Sequence, residues 1–264
     1  MEEEKVAPVT KPNPKSEKQE VVIEIKHLKK SFGNKRVLRD INLELHKGEN
    51  VVVLGRSGTG KSVTIQCIVG LLTPDEGTSL KVFGKEVTEM DDRELKELRM
   101  KVGFLFQSGA LYDSMTVREN MEFPLTRVLK MDDQAEIDQR VEEVLESVGL
   151  ADAADKMPSD LSGGMRKRAG LARTLIIRPE IMLYDEPTTG LDPITSREIS
   201  ELILQMQKKY KTSSIIITHD MECARITADR VVIMNEGEYM AEGSFEELHK
   251  SKDKIVKSYF TDIS

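Results

Sequence analysis

The chain has 264 residues, of which 39% are apolar and 32% are charged. This length and composition are enough to bury the core of one large domain, and they exclude a chain that is disordered throughout. Asp and Glu outnumber Lys and Arg by 46 to 39, and the net charge of −7 argues against a general nucleic-acid binder, because phosphates need a basic face.

The cysteine content and the hydropathy pattern limit where the protein works. Two cysteines in a chain of this size do not form a disulfide framework, so a reducing compartment is expected. No apolar run approaches the ~18 residues that a membrane span needs, and the N-terminus has no secretory signal. We therefore expect a cytoplasmic protein whose membrane-spanning partners, if it has them, are separate chains.

The chain begins with a polar segment and continues with strand patterns. Residues 1–20 are rich in Glu, Lys and Pro, which predicts a disordered tail. Residues 21–25 and 41–45 include strand-like runs, and the alternation of the second predicts antiparallel strands with one face in water. Continuously apolar runs separated by helical patterns predict a parallel sheet buried on both faces. These runs are 51–54, 102–106, 181–184 and 215–218, with a further strand and turn at 231–238.

The segment from about residue 107 to residue 178 is predicted to be all-helical. Apolar residues recur at helical spacing at positions 137, 141, 144 and 148. Asp133 and Glu136 predict a capping box before them, and Gly149 predicts the helix end. A final helix is predicted from Ser244 to about Tyr259.

Residues 55–62 match the P-loop pattern G-x-x-x-x-G-K-[ST] without exception. A buried strand precedes the motif and a helix, predicted from Val63 to about Leu72, follows it. Glycines let the backbone N–H groups curl around phosphates, Lys61 balances their charge, and the Ser62 hydroxyl can ligate Mg²⁺. The alternative is a glycine-rich turn that binds nothing, and the correctly placed strand and helix disfavour it.

Two acidic residues and a histidine follow other buried strands. Asp185 ends the strand 181–184 and can hold Mg²⁺, while Glu186 can polarise an attacking water. A lone histidine is more often structural than catalytic, but His219 follows the strand 215–218 at the edge where parallel sheets bind ligands, which makes a γ-phosphate contact a stronger alternative. A second glycine motif, Leu161-Ser162-Gly163-Gly164-Met165, begins a helix and predicts a second anion site. A P-loop already serves one nucleotide, so the motif is either a glycine-rich helix start or a cap for the γ-phosphate of ATP bound to another copy.

Taken in order, these motifs resemble those of the ATP-binding-cassette (ABC) ATPases over about residues 21–246. The resemblance implies an α/β P-loop NTPase (RecA-like) core with an antiparallel β-subdomain and an all-helical subdomain at about 107–178. A C-terminal helix or tail is expected at 247–264. Two copies would close head to tail around two ATP molecules with Mg²⁺, and hydrolysis would reopen them.

The same resemblance implies the roles of individual residues. Catalysis is expected of Glu186 as general base, His219, Lys61 and Gln107. Mg²⁺ is expected at Ser62, Gln107 and Asp185. The residues expected to bind the nucleotide are Phe32, Gly55, Arg56, Ser57, Gly58, Thr59, Gly60, Lys61, Ser62, Val63, Ser162, Gly163, Gly164 and Asp192.

Shorter motifs resemble one subfamily, the Mla/Mce-associated phospholipid transport ATPases. They are the run 106–112, the Met at position 165 and the sequence Asp192-Pro193-Ile194. The resemblance implies a permease in two copies, an Mce-type lipid-binding protein, phospholipid cargo, no nucleic acid, and a place on the inner face of the bacterial inner membrane. The alternatives are a transporter of other cargo, such as lipoprotein release or amino-acid import, and a soluble ABC ATPase such as an iron–sulfur assembly factor.

Overall fold

The computed structural model describes residues 20–260, so the predicted tail lies almost wholly outside the described residues. The strands are β1 Val21–Phe32, β2 Lys35–His46, β3 Asn50–Gly55, β4 Ser79–Val82, β5 Lys85–Glu86, β6 Val102–Leu105, β7 Ile181–Asp185, β8 Ser213–Thr218, β9 Arg230–Asn235 and β10 Glu238–Gly243. The longer helices are α1 Lys61–Ile68, α2 Asp92–Lys101, α3 Val117–Phe123, α4 Gln134–Ser147, α5 Gly163–Leu175, α6 Pro193–Tyr210 and α7 Met221–Thr227, followed by α8 Phe245–His249 and α9 Lys254–Phe260.

The central strands form a parallel sheet. Strand β3 pairs in parallel with β8 on one side and β9 on the other, and β7 and β6 continue the sheet beyond β8. Alternate residues of β3 enter different cores: Val52 and Leu54 pack on one face, Val51 and Val53 on the other. A strand covered on both faces must be apolar at every position, which explains the continuous apolar runs.

The antiparallel strands form the other half of the sheet. Strand β1 pairs antiparallel with β2 and with β4, and β4 pairs with β5. Along β2, Ile41, Leu43 and Leu45 are buried while Asn42 and Glu44 are exposed, as period-two patterning requires. Strand β10 lies between β9 and β2 and joins the halves into one ten-stranded sheet over the described residues. The α/β fold with an antiparallel β-subdomain is thus confirmed.

The helices between β6 and β7 pack on one face of this sheet. The four apolar residues predicted to recur along α4 are all buried there: Ile137, Val141, Val144 and Val148. Asp133 accepts hydrogen bonds from the N–H groups of Ala135 and Glu136 and so begins α4, although the Glu136 carboxylate pairs with Arg140 instead of completing the capping box. Gly149 follows the helix with φ +69°, a conformation that suits glycine.

Three boundaries differ from the sequence prediction. Residues 107–116 are not helical, because Gly109 and Ala110 have positive φ and α3 begins only after its cap at Thr116. Helix α1 ends at Ile68, and Gly70 with φ +63° follows it. The single closing helix is two helices, because Asp253 accepts hydrogen bonds from two following N–H groups and caps a new start at α9.

No helix within residues 20–260 is both long enough and apolar enough to cross a membrane.

Candidate functional site

Residues 55–62 form a loop between β3 and α1 that the Lys61 side chain closes. Its ammonium donates to the carbonyl oxygens of Gly55 at 2.6 Å and Arg56 at 3.1 Å. Gly60 has φ +107°, and a Cβ there would lie 2.7 Å from Leu38, so only glycine fits. The loop therefore curls around the end of the lysine side chain, where N–H groups at a helix N-terminus can meet phosphate.

The two predicted metal ligands meet at this loop. Ser62 Oγ donates to Asp185 Oδ1 at 3.0 Å. Burial raises the pKa of Asp185, and the hydrogen bond from Ser62 opposes that rise. Because both side chains present oxygen and the carboxylate is partly desolvated, they fit Mg²⁺, which takes hard oxygen ligands from protein and phosphate. Gln107, the third predicted ligand, lines the same cavity.

Glu186 directly follows β7 and lies beside the end of β8. Its N–H donates to the carbonyl of Ile217 at 2.9 Å, and its φ is +49°, which is strained for a residue with a Cβ. One carboxylate oxygen lies 3.3 Å from the Lys61 ammonium, and the other lies 2.7 Å from His219 Nδ1. The side chain is 12% exposed, so a positive charge and an imidazole ring hold a nearly buried carboxylate in place.

These groups surround a cavity of about 320 Å³. Nine of the predicted residues line it: Ser57, Gly58, Gly60, Lys61, Ser62, Val63, Gln107, Glu186 and His219. A phosphate entering it would meet the loop N–H groups and Lys61, with Glu186 and His219 opposite. The arrangement can therefore bind a polyphosphate and activate a water against it.

Other predicted residues lie away from the cavity lining. Phe32, expected to stack on adenine, is 47% exposed at the end of β1, with the Lys30 ammonium 5.3 Å from its ring centre. Ser162 caps α5 and accepts from the N–H of Met165 at 3.2 Å, and Asp192 caps α6. The Arg56 guanidinium lies 6.0 Å from the ring centre of Tyr259 in α9.

The remaining predicted residues are part of the loops just described. Gly55 and Thr59 belong to the P-loop backbone, and Thr59 Oγ1 donates to Arg56 O. Gly163 and Gly164 form the first turn of α5, where a Cβ on Gly164 would lie 2.6 Å from Thr195. Within one copy of the chain, the glycine motif at 161–165 is not among the residues that line the cavity.

Sequence reasoning missed three residues at the site. Val37 and Thr189 line the cavity, and Thr189 Oγ1 lies 3.2 Å from the Glu186 carboxylate. Lys167 donates to the backbone carbonyls of Gln107 and Glu186. For Lys167 the sequence did offer a signal. The lysine falls on the buried face of a helix, and lysine is almost never buried without a partner.

Comparison with known proteins identifies the family of the chain. The ABC transporter family profile matches residues 38–189, more than half of the chain. A probable ribonucleotide transport ATP-binding protein of Mycobacterium leprae is 41% identical over 90% of this chain and 68% of its own length. The protein TRIGALACTOSYLDIACYLGLYCEROL 3 of Arabidopsis thaliana is 38% identical over 92% of this chain and 74% of its own. A methionine import ATP-binding protein of Rhizobium etli is 40% identical over 88% and 63%. The chain thus spans about two thirds of the length of such relatives.

Solved structures share the fold. The protein cbiO1 of Clostridium perfringens, part of the ABC transporter complex cbiONQ, superposes with a TM-score of 0.81 at 29% identity, over 91% of this chain and 95% of its own. A dimeric ATP-binding cassette in a post-hydrolysis state with ADP and Pi superposes with a TM-score of 0.76 at 32% identity, over 84% and 98%. Fold and site together define a P-loop ATPase. The chain belongs to the ABC transporter family, as an ATP-binding subunit that hydrolyses ATP.

Proposed function

We propose that two copies of the chain close head to tail around ATP and drive a separate membrane permease. Each nucleotide would lie between the P-loop of one copy and Ser162–Gly164 of the other. Two features support this arrangement. Ser162 and Gly163 are exposed at the start of α5, away from the cavity lining of their own chain, and a structural neighbour is a dimeric cassette.

The catalytic part of the proposal rests on one observation: the Glu186 carboxylate contacts Lys61 on one side and His219 on the other. Glu186 is the general base, and His219 Nδ1 orients its carboxylate. The Lys61 ammonium faces one Glu186 oxygen and two backbone carbonyls. A γ-phosphate is the stronger partner for that ammonium, so ATP binding would release the Glu186 oxygen toward water.

Mg²⁺, held by Ser62, Asp185 and Gln107, would supply charge neutralisation on the phosphate oxygens. The protein's own part is to hold these oxygens ready. Ser62 and Asp185 are already within hydrogen-bond distance of each other. Burial disfavours the charged form of the Asp185 carboxylate, so pairing that carboxylate with a cation is more favourable than it would be in water.

The Glu186→Gln variant tests the catalytic proposal. Removing a positioned general base lowers turnover by roughly 10²–10⁴-fold. We expect the variant to bind ATP, to hydrolyse it slowly and to accumulate a dimer on size-exclusion chromatography. Glu201→Gln, which changes an exposed glutamate that pairs with Arg197 on α6, is the matched control and should keep normal turnover. Wild-type turnover in a clean preparation of Glu186→Gln would refute the assignment.

For the cargo, we propose glycerophospholipid, moved by a permease in two copies together with an Mce-type lipid-binding protein at the inner face of a bacterial inner membrane. The motifs at residues 106–112 and 161–165 support this choice. So does a relative whose name is that of a glycerolipid. Import of a small polar solute is the second candidate, because other relatives are named for ribonucleotide transport and methionine import.

Purification from the native cells in gentle detergent separates the two cargo proposals. Mass spectrometry of the co-eluting material is expected to find a multi-span permease, an Mce-type protein and bound phospholipid. A permease with a solute-binding protein of another type and no enriched lipid would replace the phospholipid proposal with the import proposal. Only soluble partners would refute both.

A further inference from the structure

One face of α5 holds the loop that follows β6. Three residues spaced three apart make the contacts. The Lys167 ammonium donates to the carbonyl of Gln107, and Arg173 Nη1 donates to the carbonyl of Ala110 at 3.1 Å. Between them, a Cβ on Gly170 would lie 2.7 Å from the carbonyl oxygen of Gly109, so the two backbones touch. The loop is therefore attached to the helix that carries the glycine motif.

Lys167 makes one contact that its neighbours on this face lack. Its ammonium also lies 3.4 Å from the carbonyl oxygen of Glu186, at the end of β7. One side chain thus connects three parts of the molecule: the α5 helix, the loop at Gln107 and the strained peptide of Glu186. The contact to Gln107 is the shorter of the two.

The environment of Lys167 is costly for a charged group. The residue is 8% exposed, and desolvation lowers the pKa of its ammonium, while the Glu186 and Asp185 carboxylates partly offset the shift. An apolar side chain of similar length would fill the same space without burying a charge. The presence of lysine here therefore needs a reason other than packing.

We propose that Lys167 is a positioning residue that couples the docking of α5 to the placement of Glu186. The N–H of Glu186 donates to the carbonyl of Ile217, and the carbonyl of Glu186 accepts from Lys167 at 3.4 Å and from the N–H of Thr189 at 3.3 Å. When α5 and its attached loop lie against the sheet, the carbonyl has both donors and the carboxylate faces the cavity. When α5 moves away, Thr189 alone holds the carbonyl, and the carboxylate of Glu186 can shift. This inference rests on the assignment of Glu186 as the base.

The test compares Lys167→Met with Arg173→Met in the full chain. Both variants remove a cation that holds the loop, but only the first removes a contact to Glu186. Because displacing a reacting group by about 1 Å costs up to roughly 100-fold, we expect Lys167→Met to lower kcat by about 10- to 100-fold. Its KM for ATP and its Tm should stay near the wild-type values. Arg173→Met should retain kcat within about threefold, and Lys167→Arg should recover much of the loss.

The outcomes separate this inference from the catalytic proposal. Normal kcat in Lys167→Met, or an equal loss in Arg173→Met, would overturn the inference. If Lys167→Met lowers the Tm, Lys167→Gln, which is shorter and uncharged but still polar, is expected to show the same loss of kcat at unchanged Tm. Glu186→Gln is assayed in parallel. If Glu186→Gln is inactive and Lys167→Met is normal, only the inference fails, whereas an active Glu186→Gln refutes the base assignment itself.

Discussion

Replacement of Asn120 by alanine tests how the loop before α3 is held. Asn120 is fully buried at the start of α3. Its side-chain oxygen accepts from the N–H of Tyr112 at 2.8 Å, and its amide nitrogen donates to the carbonyls of Tyr112, Met115 and Thr116 at 2.9–3.1 Å. The carbonyls of Tyr112 and Thr116 also accept backbone N–H groups. The Asn120→Ala variant therefore affects two groups most. The N–H of Tyr112 and the carbonyl of Met115 each lose the hydrogen bond that the Asn120 side chain made.

The expected loss of stability follows from these two groups. Tyr112 is exposed and Met115 is partly buried, so each lost hydrogen bond counts at its net value of roughly 0.5–1.5 kcal/mol, or about 1–3 kcal/mol in total. At about 2–4 °C per kcal/mol for a domain of this size, the Tm should fall by about 2–12 °C.

Calorimetry measures the Tm, and hydrogen exchange should show faster exchange at the N–H of Tyr112. The control is Gln134→Ala, which removes an exposed amide bonded to Asp138 and should shift the Tm by less than about 1–2 °C. A shift in Asn120→Ala no larger than in this control would refute the reasoning.

Two further predictions concern the packing of α5 and the cysteines. Gly170→Ala should lower the Tm, because forcing a Cβ against the Gly109 backbone costs roughly 1–3 kcal/mol and outweighs the helix propensity gain of about 1 kcal/mol; a rise in Tm by thermal melting would contradict the contact. Burial raises the pKa of the Cys67 thiol to about 11 and of the Cys223 thiol to about 12, from 9.0. The native chain should resist iodoacetamide at pH 8 and react after unfolding. Between pH 9 and 11 the unfolded thiols lose their protons first, so their contribution to stability falls as the pH rises. Native labelling as fast as that of the unfolded chain would show that the thiols are accessible.

The parts of the fold that carry a repeated hydrophobic signal were predictable from the sequence. The apolar runs of β3, β7 and β8 reflect burial on both faces, and the spacing in α4 reflects burial of one stripe. Strands β5 and β10 carried no such signal. Strand β5 has two residues, and β10 is partly or fully exposed at every position, so neither needs apolar residues in a regular pattern.

The candidate site was predictable where a local motif specifies backbone geometry. The P-loop, Asp185 and Glu186 follow strands whose carboxyl ends share one sheet edge, so topology alone brings them together. The contacts of Lys167 were not predictable, because they join a helix to a loop and a strand distant in sequence. The positive φ of Glu186 has no sequence marker either, and its N–H bond to Ile217 joins residues that are distant in sequence.

The strand order also has a consequence for how the chain folds as it is synthesised. Strand β3 leads into the P-loop, yet its two neighbours in the sheet, β8 and β9, lie far toward the C-terminus. In a nascent chain, the apolar strand Val51–Leu54 therefore has no neighbouring strand on either side until residues 213–235 have left the ribosome. Contacts of such long sequence separation form slowly, and exposed strand edges aggregate. The nucleotide-binding edge is accordingly completed late, and chaperone dependence should concentrate in the interval before β8 and β9 emerge.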